Sequence, residues 1–368
     1  MLRSIIKIAL LILFTASVYA QDASTSDGQK AIDHRLRFYE GTPIKKFSAK
    51  TTSFTIEGQK FSTALPAIYD GVAYIGTDSG CIYSATPAEI KRLCKMENAG
   101  AIEGSLALTK DYVFAGFTNK LFAAFSRTDG KVLWKYETKG PVITTPLVHD
   151  KFVYFSTSNG YVYALDAESG SFKWRYNALS KASAPAFDHD VLFVGNDRQH
   201  IYAINAINDQ RKGTELWEFQ EAGRQTVINE GDVYGIAIRG YVYSIDRTTG
   251  KGVWIFVGDL NDETTDLALA NYTVVFGNGN RVVAIDSRAW QYSKWLREFP
   301  RTVEIPPIIV GDVVYASCSD GKIYALDLAT GNEYSHFDLG FTPESAPAFA
   351  GGKLLLSHAN QLLFISGE

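Results

Sequence analysis

A short pattern recurs eight times along this chain at intervals close to forty residues, and no other feature narrows the possible folds as far. The segment Ile323-Tyr-Ala-Leu-Asp327 alternates apolar with small or polar residues, as a half-buried strand does. Close copies are Val162-Tyr-Ala-Leu-Asp166, Ile201-Tyr-Ala-Ile-Asn205, Val242-Tyr-Ser-Ile-Asp246 and Val282-Val-Ala-Ile-Asp286, with weaker copies at Ile82-Tyr83, Leu121-Phe122 and Leu362-Leu363. Their second positions stand at 83, 122, 163, 202, 243, 283, 324 and 363, separated by 39, 41, 39, 41, 40, 41 and 39 residues. Chance does not space eight copies so evenly, and a period of this length marks a repeat architecture.

Each unit reads as four short strands. In the third copy Thr145–Val148 is the inner strand, Phe152–Ser156 the second, Tyr161–Asp166 the third and Phe172–Tyr176 the outer one. Turns at Ser158-Asn-Gly160 and Asp166-Ala-Glu-Ser-Gly170 separate them, and their glycines supply the positive φ that tight hairpins require. Helical periodicity is absent. The expected fold is therefore all-β: an eight-bladed β-propeller of four-stranded antiparallel blades, whose ring limits exposed strand edges.

A tryptophan follows the turn by eight residues in two copies, Trp174 after Asp166 and Trp254 after Asp246. Trp134, Trp217 and Trp295 hold the same place after longer turns, and Cys94 and Ser335 replace it in blades one and seven. A position repeated blade by blade is expected to pack between blades, with the indole N–H on a nearby acceptor. The eighth copy has only three strands before the chain ends at Glu368. Its outer strand is expected from Thr51–Ile56, with Phe54 in the tryptophan place, so that both chain ends latch one blade.

The N-terminus reads as a secretory signal peptide over residues 1–20: Arg3 and Lys7, an apolar run from Ile8 to Ala16, and Val18-Tyr19-Ala20 at the cleavage site. The run is too short to span a bilayer. Residues 21–45 are expected to form a flexible lead-in and 46–368 a single propeller. Removing the two basic signal residues shifts the net charge from -4 to -6, which gives no general attraction to nucleic acid or anionic lipid. Export permits a disulfide. Cys81 and Cys94 flank the turn at Pro87-Ala88, so a cross-strand bridge and buried free thiols are both open readings for them.

The pattern Tyr-Ala-Leu-Asp, then Thr-Gly or Ser-Gly, then Trp resembles the quinoprotein-type (PQQ-like) propeller repeat. That repeat is shared by pyrroloquinoline quinone dehydrogenases and by BamB, the periplasmic propeller of the outer-membrane β-barrel assembly machinery. The whole mature chain is similar to BamB in length, blade number and closure. The ending Gly340-Phe-Thr-Pro-Glu-Ser-Ala-Pro-Ala-Phe-Ala-Gly-Gly-Lys-Leu-Leu-Leu356 looks like that family's last blade, and Gly231–Ala237 with Tyr241–Trp254 resembles a central one. BamB proteins are usually lipoproteins, whereas the first cysteine here is Cys81.

The resemblance implies a periplasmic, non-enzymatic scaffold. It would bind the β-barrel insertion subunit through loops between central blades, as a monomer within a hetero-complex. The matching loops run from Asn177 to Ser183 and from Glu221 to Thr226, and give Leu179, Lys181, Glu221 and Arg224 as candidate protein-binding residues. The alternatives are a quinone-dependent oxidoreductase using the central channel, and an exported propeller binding another envelope component. A quinone enzyme would need a carboxylate base, bound Ca²⁺ and room for a planar cofactor. The recurring Asp166, Asp246, Asp286 and Asp327 read instead as turn caps, and no adjacent cysteine pair, P-loop, dinucleotide fingerprint or G-x-S-x-G elbow is present. No cofactor is expected. Asp188-His189-Asp190 is the closest approach to a metal cluster, and it falls in a turn.

Overall fold

The computed structural model describes residues 37–207, 211–229, 232–237, 240–257, 264–270, 272–288 and 293–368, without the side chains of 229, 254, 255 and 257. The signal peptide and most of the lead-in lie outside the described residues. The chain forms eight sheets of consecutive antiparallel strands arranged in a ring, an eight-bladed β-propeller. Blade three shows the pattern, from the inner strand Leu147–His149 through Phe152–Ser156 and Tyr161–Asp166 to the outer strand Phe172–Asn177. Loops from each outer strand to the next inner strand share one face of the ring with the turns between second and third strands. We call this the upper face; the remaining turns form the lower face.

The two middle strands of each blade are buried on both sides, which is why they read as nearly continuous apolar runs. Their side chains interleave with those of the neighbouring blades. Between blades two and three, Phe122 stacks on Phe155 with ring centroids 3.8 Å apart, and Phe155 stacks on Tyr163 at 5.2 Å.

The tryptophans join one blade to the next. Nε1 of Trp134, Trp174, Trp217 and Trp295 donates to the carbonyls of Ala167, Ala206, Arg247 and Leu328, all in the following blade, at 2.9–3.1 Å. The polar end of each ring is thus satisfied while its body is covered. The side chain of Trp254 lies outside the described residues.

Strand register corrects three details of the repeat. Trp134 pairs with Ala124 as Trp174 pairs with Ala164, so Phe122, not Leu121, matches Val162, and the copy in blade two shifts by one residue. An aromatic ring in a usually aliphatic place had mimicked the tyrosine that follows it. Cys94 pairs with Ile82 and Phe54 with Leu362, the place held by Tyr176 opposite Val162. The tryptophan places of blades one and eight therefore belong to Lys91, opposite Ser84, and Thr52, opposite Phe364. In blade one the bulge lies between Ile82 and Tyr83, before the position it takes in the other blades, and this moves the assignment.

The same register settles the cysteines. Cys81 pairs with Lys95 while Cys94 pairs with Ile82, so the two thiols lie on opposite faces of blade one. All three cysteines are free, and the cross-strand bridge is not formed. Burial, then the nearby Cys81, pushes the Cys94 thiol up to about 12.

The N-terminal strand Phe47–Thr55 runs antiparallel to Gln361–Gly367 and completes blade eight. Before it reaches that rim, the chain makes a second connection. Phe38–Tyr39 pairs in parallel with Ile309–Val310, on the channel side of blade seven's inner strand, giving that sheet a fifth strand. The chain then passes Gly311 on the lower face and runs outward between blades seven and eight. There the Tyr315 hydroxyl donates to the Ile44 carbonyl at 2.8 Å and accepts from the Ile44 N–H. Ser335, which stands where blade seven would carry a tryptophan, donates to the Lys45 carbonyl at 2.9 Å. The fold thus engages residues 37–45 as well as the chain from residue 46. This crossing strap supplies the contacts that a tryptophan makes elsewhere.

Candidate partner-binding face

The four candidate residues all lie on the upper face, in two successive loops that share one support. The outer strand of blade three ends at Asn177, and Asn177 Oδ1 accepts from the Leu179 N–H at 3.1 Å. That bond holds Leu179 at φ 67°, a left-handed conformation uncommon for a branched aliphatic residue. Leu179 is 61% exposed, more than any other large apolar side chain among the described residues. In the next loop Glu221 has φ 122°. Its carboxylate accepts from the Tyr243 hydroxyl at 3.0 Å. Burial, and then this bond, push Tyr243 up to about 12.

The support is the turn Asn196–Gln199 of blade four. Its Asp197 N–H donates to the Lys181 carbonyl at 3.1 Å, and its Gln199 carbonyl accepts from the Glu221 N–H at 2.8 Å. Asn196 is 1% exposed. Its Nδ2 donates to the Ala178 carbonyl at 2.8 Å, and its Oδ1 accepts from the N–H groups of Arg198 and His200 at 2.9 and 3.0 Å. Gly223 lies so close that a Cβ there would stand 2.2 Å from the Asn196 carbonyl oxygen. The Arg224 N–H is held by the Ile236 carbonyl at 3.1 Å. The turn that the buried Asn196 shapes therefore fixes the platform backbone at Ala178, Lys181 and Glu221, while the Ile236 carbonyl holds that of Arg224.

Asp197 and Arg198 are exposed at the tip of that turn, between the two loops, and the sequence reading passed over them. The available signal was an asparagine at the start of a turn, which reads as turn chemistry unless its backbone partners are known. The platform carries an apolar side chain at Leu179, cations at Lys181, Arg198 and Arg224, and anions at Asp197 and Glu221. It suits protein contact, with an apolar anchor inside a charged rim, and it offers no acid–base or nucleophile pair.

The cluster at Asp188 lies on the lower face. Arg247 of blade five is ion-paired with the Asp188 carboxylate, and His189 Nδ1 stands 2.7 Å from Asp188 and 2.8 Å from Arg247. A guanidinium thus holds the carboxylate a metal would need. Among the described residues no three His, Cys, Asp or Glu side chains could hold a metal ion together. The turn aspartates act as caps: Asp246 accepts from the Thr249 N–H and hydroxyl at 2.7 Å each, and Asp327 from those of Thr330 at 2.8 Å each. Phe38–Tyr39 lies on the channel side of blade seven, in space that a planar quinone in the channel would need.

A family profile described as outer membrane protein assembly factor BamB matches residues 73–255 and 206–361. Outer membrane protein assembly factor BamB of Yersinia pestis is 25% identical over 305 residues, covering 75% of this chain and 74% of that protein. The crystal structure of BamB from Moraxella catarrhalis superposes with a TM-score of 0.68 at 15% identity, covering 86% of this chain and 98% of the other. The quinohemoprotein alcohol dehydrogenase of Comamonas testosteroni gives a TM-score of 0.73 at 15% identity, over 90% of this chain and 79% of that one. Identities of this size in the two solved structures establish shared fold and nothing finer.

Proposed function

This chain belongs to the outer membrane protein assembly factor BamB family, and on that premise we propose that it is a non-catalytic scaffold assisting the assembly of β-barrel proteins into the outer membrane. One observation carries the reading: the family match runs over residues 73–255 and 206–361, including both loops that the turn Asn196–Gln199 joins. A rigid ring suits such work, because it holds loops at fixed separations and costs little ordering entropy when a partner docks. The partner we propose is the β-barrel insertion subunit, met on the upper face through Leu179, Lys181, Glu221 and Arg224. Leu179 would be the anchor, since an apolar side chain already fixed by its backbone loses little freedom on binding. The place of action we propose is the periplasm, reached through the leader at residues 1–20. Among the described residues no helix is long and apolar enough to cross a membrane.

The test is an affinity pull-down from solubilised envelopes, with the mature chain and a Leu179→Asp/Arg224→Glu variant as baits. Recovery of the insertion subunit by the native chain and its loss in the variant are the expected results. Recovery by both would keep the function and discard these residues. Absence from both would overturn the scaffold reading.

A further inference from the structure

Between blades two and three the rim carries a run of aromatic rings that ends in two cations. Tyr136, on the outer strand of blade two, stacks on Phe172 of blade three with centroids 6.4 Å apart and meets Tyr163 edge-on at 5.9 Å. Tyr163 leads on to Tyr161 at 6.3 Å. The Arg175 guanidinium lies 4.7 Å from the centre of the Tyr161 ring and 5.9 Å from that of Tyr163, and Lys139 Nζ lies 5.2 Å from Tyr161. Register accounts for the arrangement: Arg175 pairs with Tyr163, and alternation puts both on the face that carries Tyr161. The backbone of Lys139 is fixed as well. Its N–H donates to the Tyr163 hydroxyl at 3.0 Å, and its carbonyl accepts from Asn159 Nδ2 at 3.1 Å.

Other junctions are closed differently. The place of Tyr136 belongs to Tyr176 in blade three and to Arg297 in blade six, which bond Glu215 and Glu333 at 2.6 Å each. Here both members are rings, and Phe172 remains 50% exposed. Arg281, Arg288 and Arg297 of blade six each hold a carboxylate. Arg175 and Lys139 are exposed, and among the described residues no carboxylate pairs with either.

We propose that this part of the rim is a second protein-docking surface, and that its occupant is an acidic segment of a partner, with an apolar side chain beside its carboxylates. The proposal extends the partner role proposed above to a surface outside the two upper-face loops. Three features select this occupant. Ring faces hold both cations at set places, so a pair of carboxylates meets charges that need little further ordering, and the arginine offers one of them a fork of donors. The stacked Phe172 and Tyr136 form an apolar shelf next to the cations, which a segment bearing charge alone leaves uncovered. Recognition of an anionic membrane draws on clusters of about four to eight cations, whereas this site fixes two. The surface is also continuous with the candidate platform, because Tyr161 pairs with Asn177, whose side chain holds the Leu179 N–H.

The probe is a fluorescent ten-residue peptide with four glutamates around one phenylalanine, measured by anisotropy against the mature chain. Arg175→Gln/Lys139→Gln is expected to weaken binding by about tenfold or more, and so is glutamine in place of every glutamate of the peptide. Phe172→Ser is expected to weaken it by about fivefold. Lys251→Gln, which removes an exposed cation from blade five, is expected to leave it within about twofold. Thermal melts that match the native chain establish that the variants fold. Phosphatidylglycerol vesicles form a second arm, and the native chain is expected to stay in solution when they are sedimented. No peptide binding, equal binding by the double variant or by Phe172→Ser, or equal binding of the glutamine peptide overturns the proposal. So does sedimentation with the vesicles that the double variant abolishes, since the surface would then serve a lipid headgroup. Failure of this surface shows in the peptide experiment alone, and failure of the scaffold role in the recovery of the insertion subunit by the native chain.

Discussion

The indoles of Trp134, Trp174, Trp217 and Trp295 are each covered by a glycine from the next blade, and that contact sets what the turn can tolerate. A Cβ on Gly331, at φ 74°, would stand 2.6 Å from the Trp295 ring, and one on Gly250 would meet Trp217 at the same distance. Gly351 also has positive φ, 56°, but nothing lies within 4 Å of its Cβ position. Gly351→Ala is expected to cost about 1 kcal/mol, the strain of alanine in the left-handed region. Gly331→Ala carries the same strain and displaces the indole, for a total of about 3 kcal/mol. Urea unfolding of both variants measures the difference, and equal costs would mean that the ring moves aside freely. The caps give a pH-dependent counterpart. The Tyr334 hydroxyl, then the Thr330 hydroxyl and N–H, hold the Asp327 carboxyl below its usual range, against the opposing effect of burial. A depressed folded pKa contributes stability above the unfolded value of about 4, and that contribution is lost as pH falls through the folded value. Asp327→Asn is therefore expected to lower the melting temperature at pH 7, with the gap to the native chain closing below about pH 4. A gap that does not narrow at all between about pH 5 and pH 3 would assign the effect to lost packing instead of charge.

At the scale of turns and strands, Asn196 does for two loops what no exposed residue could. It is buried and makes three bonds to backbone, so Asn196→Ala leaves the N–H groups of Arg198 and His200 without their partner and the Ala178 carbonyl with the Ser180 N–H alone. The expected loss is about 2–4 kcal/mol, with faster hydrogen exchange in 178–183 and 221–226 and little change in blade eight. Uniform exchange across the ring would show that the turn does not tie these loops. This element also marks the limit of what the sequence made legible. The eight copies could be read because alternating apolar residues and turn aspartates recur at a fixed period, and both follow from burial and backbone geometry within one blade. The two partner loops were reached through family likeness, and Asn196 was missed because its bonds cross from one loop to another. Phe38–Tyr39 was missed for a related reason: two residues in parallel pairing repeat nowhere and leave no periodicity. The slips at Phe122, Cys94 and Phe54 came from matching residue types where a bulge sets the register.

The ring as a whole is closed twice, and the two closures can be separated. The strand Phe47–Thr55 completes blade eight at the rim, as the short eighth copy requires. The strap before it does something the repeat does not call for. Arg37 pairs with Asp266 at the entrance to blade six at 2.9 Å, Phe38 and Tyr39 join blade seven inside the channel, and Lys45 pairs with Asp312 at 2.7 Å on the lower face. Tyr39 is 0% and Ile44 5% exposed, so their apolar surface is nearly all removed from water. Each contributes about 2 kcal/mol, whereas the exposed Lys45–Asp312 ion pair adds little. A chain starting at residue 47 keeps the rim closure and loses the strap; one starting at residue 37 keeps both. The shorter chain is expected to be less stable by about 3 kcal/mol or more, after allowance for the entropy of ordering the strap. Its ring should stay closed, because blade eight is still complete. Calorimetry of the two truncations, with far-ultraviolet circular dichroism to confirm strand content, reads this directly. Equal melting temperatures would mean that the strap only lies against the ring, leaving blade eight as the sole fastening. A collapse of strand content in the shorter chain would mean that the rim strand cannot hold blade eight without the anchor in the channel.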